Sequence, residues 1–358
     1  MNYKISIKPV EGRLPILHPT LRTYLTADFE ASAQMVENTE RCDADRQESY
    51  LYFDGDAEGC ILRFSTEQHF TRFFERVIRS GRVNLCTLLP NTEYYAQVFS
   101  VGGEPLSEMV SFVTEASSVR PVWCTDEEGF GPRNVRDVGG YTTTYGKVKY
   151  GMLYRGTHLN NKYDNEYRTT DGVRDIMLKS LGIRSEIDVR VTGSDDLYYS
   201  ENGEKIPQTA NELDPSLPYY KLPLMAYDNV FPYSDRTASI PEIFRVLGRA
   251  ENYPAYLHCN AGSDRTGTII FLLHCLLGVG FVDAMHCYEM TTFSPQGKRS
   301  RMYVQQNDNV NYIAMGKFCK QLLTYGDNYQ TATENFLRLL GLTNSEMDAV
   351  RELLIEKT

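Results

Sequence analysis

The sequence predicts two domains of different class: an all-β sandwich, followed by an α/β domain whose central, mostly parallel sheet is flanked by helices. Three observations lead to this prediction. The chain has 358 residues, more than one ordinary hydrophobic core holds. Its first third alternates short β-branched or aromatic runs with turn signals. The remainder alternates strand-like and helix-like segments, which is typical of a parallel sheet.

The first third contains one specific β-sandwich pattern among its strand candidates. In Leu88-x-Pro90-x-Thr92-x-Tyr94, the tyrosine enters a strand after a corner, where its hydroxyl can bind backbone a few residues upstream. This is the tyrosine corner of β-sandwiches. The strand candidates are Ser49–Phe53, Cys60–Phe64, Arg82–Cys86, Tyr94–Val101 and Ser111–Glu115.

Residues 1–116 therefore resemble a fibronectin type III-like domain, and a generic β-sandwich of separate ancestry stays the alternative. Such a domain could bind protein or carbohydrate, or could orient the domain that follows it. The small, polar and proline residues after Glu115 predict a linker, placed at residues 117–124.

Residues 125–358 carry the α/β pattern. Ile240, Ile243, Phe244 and Leu247 follow the spacing of one helix face. Thr343 and Glu346 form a capping box before the last helix. The element candidates are the strands Ser185–Arg190, Tyr219–Leu224 and Ala255–His258, the helix Ile240–Ala250 and the helical tail Gln330–Glu356.

Charge and composition exclude several classes of protein. The net charge of −10, from 47 acidic and 37 basic side chains, argues against a generalised basic surface for nucleic acid. The longest apolar run, Ile269–Leu277, is far shorter than the roughly 18–20 residues of a membrane span. The N-terminus lacks the pattern of a signal peptide, which favours a cytoplasmic location, whereas a leader removed before Met1 would indicate export. The eight cysteines show no Cys-x-x-Cys and no metal-ligand spacing with histidine, so neither a metal nor another cofactor is expected.

The motif that carries chemistry is His258-Cys-Asn-Ala-Gly-Ser-Asp-Arg-Thr-Gly267, between a short strand and an apolar helical run. A strand–loop–helix of this length directs successive backbone N–H groups to one point at the helix N-terminus, where they bind a phosphate dianion. The same amides and the helix dipole favour the thiolate of Cys259, the predicted nucleophile. The predicted phosphate-binding residues are Asn260, Ala261, Gly262, Ser263, Asp264 and Arg265.

Other residues of the motif have supporting roles. Arg265 can hold two phosphate oxygens in bidentate fashion, and Gly262 permits a tight backbone path. The hydroxyl of Thr266 can donate to the sulfur and improve Cys259 as a leaving group. His258 is predicted to shape the loop by hydrogen bonding and not to act as a base. No lysine follows Gly262 or Gly267 as a nucleotide P-loop requires.

This motif resembles the His-Cys-x5-Arg-Thr signature of the cysteine-dependent phosphatase superfamily, and its Ala-Gly-x-Asp-Arg-Thr-Gly variant is similar to the bacterial tyrosine/serine protein phosphatase branch. The resemblance covers about residues 125–358 and implies hydrolysis through a cysteinyl-phosphate, without a cofactor. Family loops often carry lysine where this chain has Ser263, which favours a phosphoprotein over a polyanionic substrate. Further similar segments are Arg133–Gly140, Leu153–Gly156, Leu181–Arg190, Tyr288–Ser294 and Leu339–Arg351.

Two aspartates compete for the role of general acid. Asp264 lies in the loop before Arg265, and related Asp-Arg-Thr loops use it in this way. Asp228 lies 31 residues upstream of Cys259, where many members of the superfamily place a mobile acid loop. The resemblance favours Asp264, and a solvated turn is the alternative for Asp228.

Further charged and aromatic residues are predicted to be structural. Arg136 with Asp137, and Asp188 with Arg190, are predicted as ion pairs or scaffold for the loop. Tyr227, Phe231 and Tyr233 form an aromatic cluster that lines a substrate pocket or only packs.

The leading functional hypothesis is a phosphomonoester hydrolase, and within that class a protein-tyrosine phosphatase is favoured. Phosphoserine and phosphothreonine are further candidate substrates. The same site could instead hydrolyse phosphoinositides or inositol phosphates. A non-catalytic phosphate-binding adaptor would have lost the cysteine, the arginine or both aspartates, and this chain retains them all. A sulfurtransferase also uses a loop cysteine, but the Arg-Thr-Gly helix start argues against it.

Overall fold

The computed structural model describes residues 4–40, 42–45, 49–122, 124–126, 129–159, 167–191, 197–199, 204–231, 237–301 and 310–357. Within residues 1–116, its described part contains two small sheets and two helices. In chain order, these elements are strands β1 (Ser6–Ile7) and β2 (Arg13–Leu14), helices α1 (Pro19–Thr26) and α2 (Phe29–Asn38), and strands β3 (Tyr50–Asp54), β4 (Ile61–Ser65), β5 (Phe74–Val77), β6 (Arg82–Asn84), β7 (Glu93–Phe99) and β8 (Val110–Thr114).

The strands form two sheets around a shared apolar core. One sheet has the order β1-β3-β6, and the other has the order β2-β8-β7-β4-β5. Alternate residues of the strands, such as Leu62 and Phe64 of β4, are fully buried, as the period of two of a strand predicts. The tyrosine corner is confirmed, because the hydroxyl of Tyr94 accepts a hydrogen bond from the backbone N–H of Leu89 at 2.9 Å.

The prediction of an all-β unit over residues 1–116 is not confirmed, because α1 and α2 interrupt the strands. Asp28 starts α2 by accepting a hydrogen bond from the backbone N–H of Ala31 at 2.8 Å. The two helices place Leu21, Tyr24 and Val36 in the same core cluster as the α/β domain. Burial of their apolar faces against that domain, outside the sandwich, stabilises the two helices.

Within the segment predicted as a linker, residues 117–124, Arg120 and Val122 contact the α/β domain. The backbone N–H of Val122 donates to the carbonyl of Val135 at 3.0 Å. The buried Arg120 forms an ion pair with Asp137 at 2.9 Å and donates to the carbonyl of Leu88 at 3.0 Å. The division into residues 1–116 and 125–358 stays a prediction.

The described part of the α/β domain has a five-stranded central sheet with helices around it. Its strands and helices are β9 (Arg136–Asp137), β10 (Thr142–Thr143), β11 (Gly146–Val148), β12 (Leu153–Gly156), α3 (Asp171–Asp175), β13 (Ser185–Asp188), β14 (Leu197–Tyr199), β15 (Lys205–Pro207), β16 (Tyr219–Lys221), α4 (Ser239–Leu247), β17 (Ala255–His258), α5 (Asp264–Leu276), α6 (Phe281–Glu289), α7 (Val310–Leu322), α8 (Tyr329–Leu339), α9 (Asn344–Leu354) and β18 (Ile355–Glu356). A π-helical turn at Ile176–Ser180 follows α3, and 3₁₀ turns lie at Tyr227–Val230, Ala250–Asn252, Met290–Phe293 and Leu323–Tyr325.

The register of the central sheet places the end of β17 beside the ends of two parallel neighbours. The order is β16-β13-β17-β12-β9, in which only β9 runs antiparallel to its neighbour. His258, the last residue of β17, lies opposite Gly156 of β12 and Asp188 of β13. The carboxyl edge of a parallel sheet is where ligands bind in α/β proteins, so the loop after β17 starts at the expected position.

The predicted helices of this domain are confirmed with one correction. α4 matches the helix predicted over Ile240–Ala250, and the capping box of Thr343 and Glu346 is present at the start of α9. The tail Gln330–Glu356 is helical as α8 and α9, as predicted, but its end, Ile355–Glu356, is strand β18 and pairs with β11. The longest helices of the described part, α5 and α7, have 13 residues each, and none there is long and apolar enough to cross a membrane.

Candidate active site

The candidate site is the loop that joins β17 to α5. Cys259 directly follows β17 and is only 2% exposed. Ser263 occupies the N-cap position of α5, so Asp264 and Arg265 lie in the first turn of the helix. The positive end of the helix dipole therefore points toward the concave side of the loop, as an anion site requires.

Three successive loop carbonyls are held from outside the loop. The carbonyl of Asn260 accepts from the backbone N–H of His158 at 3.1 Å. The carbonyl of Ala261 accepts from Nδ2 of Asn134 at 3.0 Å. The carbonyl of Gly262 accepts from Nη2 of Arg155 at 2.5 Å.

These hydrogen bonds determine where the loop amides point. In a trans peptide the N–H points opposite to the carbonyl of the preceding residue. The N–H groups of Ala261, Gly262 and Ser263 therefore point away from the residues that hold the carbonyls, and they donate to no acceptor among the described residues. They are available to an anion.

Gly262 is required at its position for two reasons. Its φ of +64° is a conformation that L side chains rarely adopt. A Cβ atom here would lie 2.1 Å from the carbonyl oxygen of Gly156, on the neighbouring strand β12. The close approach of the loop to β12 therefore depends on the absence of a side chain at Gly262.

His258, predicted to shape the loop by hydrogen bonding, has a polar neighbour at each of its two ring nitrogens. Its Nε2 lies 2.8 Å from Oε1 of Glu186, and its Nδ1 lies 3.1 Å from the carbonyl oxygen of Cys259. The imidazole of His258 and the carboxylate of Glu186 are both fully buried. The imidazole thus joins β13 to the start of the loop, and sequence reasoning missed Glu186.

Thr266 lies one residue beyond Arg265 and is completely buried. Its hydroxyl has no hydrogen-bond partner among the described residues. A buried hydroxyl without a partner is uncommon. This one is free for the predicted role of donating to the sulfur of Cys259.

Asp264 is held in a bidentate ion pair that the sequence did not reveal. Nε and Nη2 of Arg299 donate to its two carboxylate oxygens at 2.6 and 2.9 Å, and the hydroxyl of Tyr227 also donates to Oδ1. Burial alone would raise the pKa of Asp264, but Arg299 and Tyr227 outweigh burial and hold this pKa below its ordinary value. Asp264 is therefore a carboxylate in this arrangement.

The segment of Asp228 lies beside the same helix start. Its backbone belongs to the 3₁₀ turn Tyr227–Val230, and its side chain lies outside the described part of the structure. The backbone N–H of Tyr227 donates to the hydroxyl of Thr268 on α5 at 3.0 Å. Asp228 therefore directly follows Tyr227, the residue whose hydroxyl contacts the other acid candidate, Asp264.

The predicted aromatic cluster is only partly described. Tyr227 and Phe231 are buried, and Phe231 stacks on Phe318 with ring centroids 5.5 Å apart. Packing is therefore the role of Phe231, whereas Tyr227 contacts Asp264. Tyr233 lies outside the described residues.

Of the two residue pairs predicted as ion pairs or loop scaffold, Asp188 and Arg190 form an ion pair, whereas Arg136 and Asp137 each bind other partners. Asp188 and Arg190 pair at 2.8 Å and are fully buried. Asp137 instead pairs with Arg120, while Arg136 donates to the carbonyls of Asn134 and Cys287 at 3.1 and 2.6 Å. Successive residues of a strand point to opposite faces, so neighbours such as Arg136 and Asp137 cannot readily meet.

No group of three or more histidine, cysteine, aspartate or glutamate side chains in the described part could hold a metal ion. The eight cysteines are free thiols.

Comparisons with known proteins place this chain among phosphatases. Residues 130–356, which include the whole loop and both acid candidates, match the model of the tyrosine phosphatase family. A comparison with curated proteins found no match. Among solved structures, the core catalytic domain of the PP-IP phosphatase SIW14 from S. cerevisiae, in complex with citrate, is 16% identical over 44% of this chain and 76% of that chain, with a TM-score of 0.28. Because the family match spans well over half of its length, the chain belongs to the tyrosine phosphatase family.

Proposed function

We propose that this protein is a phosphomonoester hydrolase that acts on phosphotyrosine in proteins through a cysteinyl-phosphate intermediate, with phosphoserine and phosphothreonine as further substrates. The observation that carries the proposal is the loop Cys259–Arg265. Its carbonyls are held from outside, its amides face the concave side, and a cysteine and an arginine stand at its two ends. Family membership supports the same reaction type.

In the first step, the thiolate of Cys259 attacks phosphorus in line with the ester oxygen. The S–P bond forms, the P–O ester bond breaks, and the leaving oxygen takes a proton from Asp264. The loop amides and the guanidinium of Arg265 hold the three equatorial oxygens, whose charge develops in the transition state.

In the second step, water attacks the cysteinyl-phosphate and Asp264, now a carboxylate, accepts a proton from the water. The S–P bond breaks, which releases inorganic phosphate and returns the thiolate. We assign the donor to the departing sulfur to the hydroxyl of Thr266, a buried group with no partner among the described residues.

The ion pair with Arg299 favours Asp264 as the base of the second step and opposes it as the acid of the first. A phosphate dianion in the loop brings two negative charges close to the carboxylate, which raises its pKa. Asp264 can then take up a proton when substrate binds. This argument keeps Asp264 as our proposed acid and makes Arg299 the residue that sets its proton affinity.

Leaving-group dependence will assign the acid. Asp264→Asn is expected to slow the hydrolysis of phosphotyrosine, whose leaving oxygen needs a proton, by about 10²–10⁴-fold. The same variant should slow an aryl phosphate with an acidic phenol far less. The measurement is the ratio of kcat/KM for the two substrates, because Asp264 also belongs to the loop and both rates can fall together. A large ratio in Asp228→Asn, with none in Asp264→Asn, would assign the acid to Asp228.

Arg299→Gln gives an independent check through pH. If Asp264 is the acid, loss of the arginine raises its pKa, and the basic limb of the kcat/KM profile moves to higher pH. An unmoved limb in Arg299→Gln would show that another group donates the proton.

Charge pairing around the loop supports a protein substrate over an inositol polyphosphate. Arg299 pairs with Asp264, Arg301 with Glu289 at 2.6 Å, and Arg133 with Asp45 at 2.7 Å. A polyanionic ligand needs cations beyond those that hold the reacting phosphate. These three arginines are already engaged, and the loop itself carries Ser263 where family loops often carry lysine.

A substrate panel tests this proposal. We expect kcat/KM for a phosphotyrosine peptide to exceed that for inositol polyphosphates and phosphoinositides by about tenfold or more, with phosphoserine and phosphothreonine peptides in between. A tenfold margin corresponds to about 1.4 kcal/mol of difference in transition-state binding. Faster turnover of an inositol phosphate would transfer the assignment to that class, and no turnover of any member would favour the adaptor.

A further inference from the structure

The N-terminal region contacts the residues that hold the phosphate-binding loop. Oδ1 of Asp45 accepts from Nη2 of Arg133 at 2.7 Å, and its Oδ2 accepts from the backbone N–H of Asn134 at 2.8 Å. The side chains of Asp45 and Arg133 are only 9% and 4% exposed. One carboxylate thus holds two successive residues of the catalytic domain from a segment 88 or more positions earlier in the chain.

Arg133 and Asn134 are each connected to the phosphate-binding loop by hydrogen bonds. Asn134 adopts a φ of +58°, and its Nδ2 donates to the carbonyl of Ala261. Arg133 exchanges two 3.0 Å hydrogen bonds with Thr157, and the next residue, His158, donates to the carbonyl of Asn260. Asp45 is therefore linked to the Ala261 carbonyl through Asn134 alone, and to the Asn260 carbonyl through Arg133, Thr157 and His158.

A second contact supports this arrangement. Glu37, the last but one residue of α2, accepts hydrogen bonds from Lys298 through its carbonyl and from Ser300 through its carboxylate. These two residues flank Arg299, the partner of Asp264. The segment from α2 to Asp45 thus contacts the surroundings of the site at two places.

We infer that Asp45 is a positioning residue for phosphate binding: it fixes Arg133 and Asn134, and through them the outward orientation of the loop carbonyls. The N-terminal region then completes the active site instead of being an independent appendage. This inference rests on the proposed function, since it concerns the same loop. The left-handed backbone of Asn134 costs free energy, and the hydrogen bond from its N–H to Asp45 offsets part of that cost.

The test compares Asp45 with Asp43 in the full chain. Asp43 binds the same Nη2 atom of Arg133 at 2.9 Å, but its side chain is 69% exposed, and in the described part of the chain this arginine is its hydrogen-bond partner. We expect Asp45→Ala to raise the inhibition constant of inorganic phosphate and the KM for p-nitrophenyl phosphate about tenfold. Asp45→Asn keeps an acceptor for the N–H of Asn134 and should show a smaller rise. Asp43→Ala should change both constants less than twofold.

The choice of readout separates positioning from general destabilisation. A purely structural loss lowers the melting temperature and the fraction of folded enzyme, yet leaves KM and the phosphate inhibition constant of the folded fraction unchanged. Wild-type constants in Asp45→Ala, or in Asp45→Asn where the alanine variant does not fold, would overturn the inference. So would equal shifts in the Asp43 and Asp45 variants.

Failure of the proposed function has a different signature. If the wild-type chain hydrolyses no phosphate ester, that proposal fails, and the role of Asp45 is then decided by calorimetric binding of inorganic phosphate alone. A tenfold weaker phosphate affinity in Asp45→Ala would support the positioning role, and an unchanged affinity would contradict that role.

Discussion

Replacement of Cys259 by serine is expected to lower the turnover of p-nitrophenyl phosphate by at least about 10⁴-fold, within the range seen when a covalent nucleophile is removed. A serine hydroxyl is not ionised near neutral pH, so the attacking anion is lost. The amides that would bind phosphate belong to the backbone and are held by Asn134 and Arg155, neither of which contacts the sulfur of residue 259 in the described structure.

Binding should therefore survive when catalysis does not. We expect Cys259→Ser to bind tungstate with an affinity within a few fold of wild type, measured by calorimetry. Cys60→Ser makes the same chemical change at a partly buried thiol in the N-terminal sheets and should keep full activity. Residual turnover above one hundredth of wild type in Cys259→Ser would contradict a cysteinyl-phosphate mechanism. Loss of both turnover and tungstate binding would mean that the substitution collapses the loop.

The predictable part of the site is the part that is local in sequence. Cys259, Gly262 and Arg265 lie within seven residues, and the need for a strand, a tight turn and a helix start constrains all of them together. A spacing pattern therefore identifies them. The same holds for Thr343 and Glu346 at the start of α9, because a capping box closes within one turn.

The residues that hold the loop in place could not be predicted in the same way. Asn134, Arg155 and Glu186 contact the loop or His258 across 127, 107 and 72 positions of sequence. Such partners depend on strand order and register, and many alternative registers satisfy the same hydrophobic pattern. Segments around Asn134 and Arg155 were recognised as similar to the family, but similarity did not say which atoms they touch.

The two helices near the N-terminus could have been found. Asp28 is a typical N-cap residue and directly precedes Phe29. Phe29, Ala33 and Val36 then follow the spacing of one helix face, so the two signals together predict a helix. In the sequence, the strong β character of the flanking runs outweighs this signal. Their packing against the α/β domain could not have been predicted, since an amphipathic face does not reveal which surface covers it.

The second large effect is expected for Arg265→Lys. We expect kcat/KM for p-nitrophenyl phosphate to fall on the order of 10²–10³-fold, about 2.7–4 kcal/mol of transition-state stabilisation, as for loss of a key oxyanion donor. Lysine keeps the positive charge but not the planar fork that spans two equatorial oxygens. Arg245→Lys, at an exposed pair with Glu242 on α4, makes the same change away from the site and should leave the rate unchanged.

The geometry of the inhibitor decides whether Arg265 acts on the transition state. Vanadate bound to a thiolate adopts the trigonal bipyramid of phosphoryl transfer, whereas inorganic phosphate is tetrahedral. If the guanidinium spans equatorial oxygens, Arg265→Lys should weaken inhibition by vanadate at least about tenfold more than inhibition by phosphate, because transition-state analogues report the interactions that accelerate the reaction. Equal losses for both inhibitors would show that Arg265 only attracts the anion. A near-wild-type rate in the lysine variant would show that the arginine supports the fold of the loop and does not take part in the reaction.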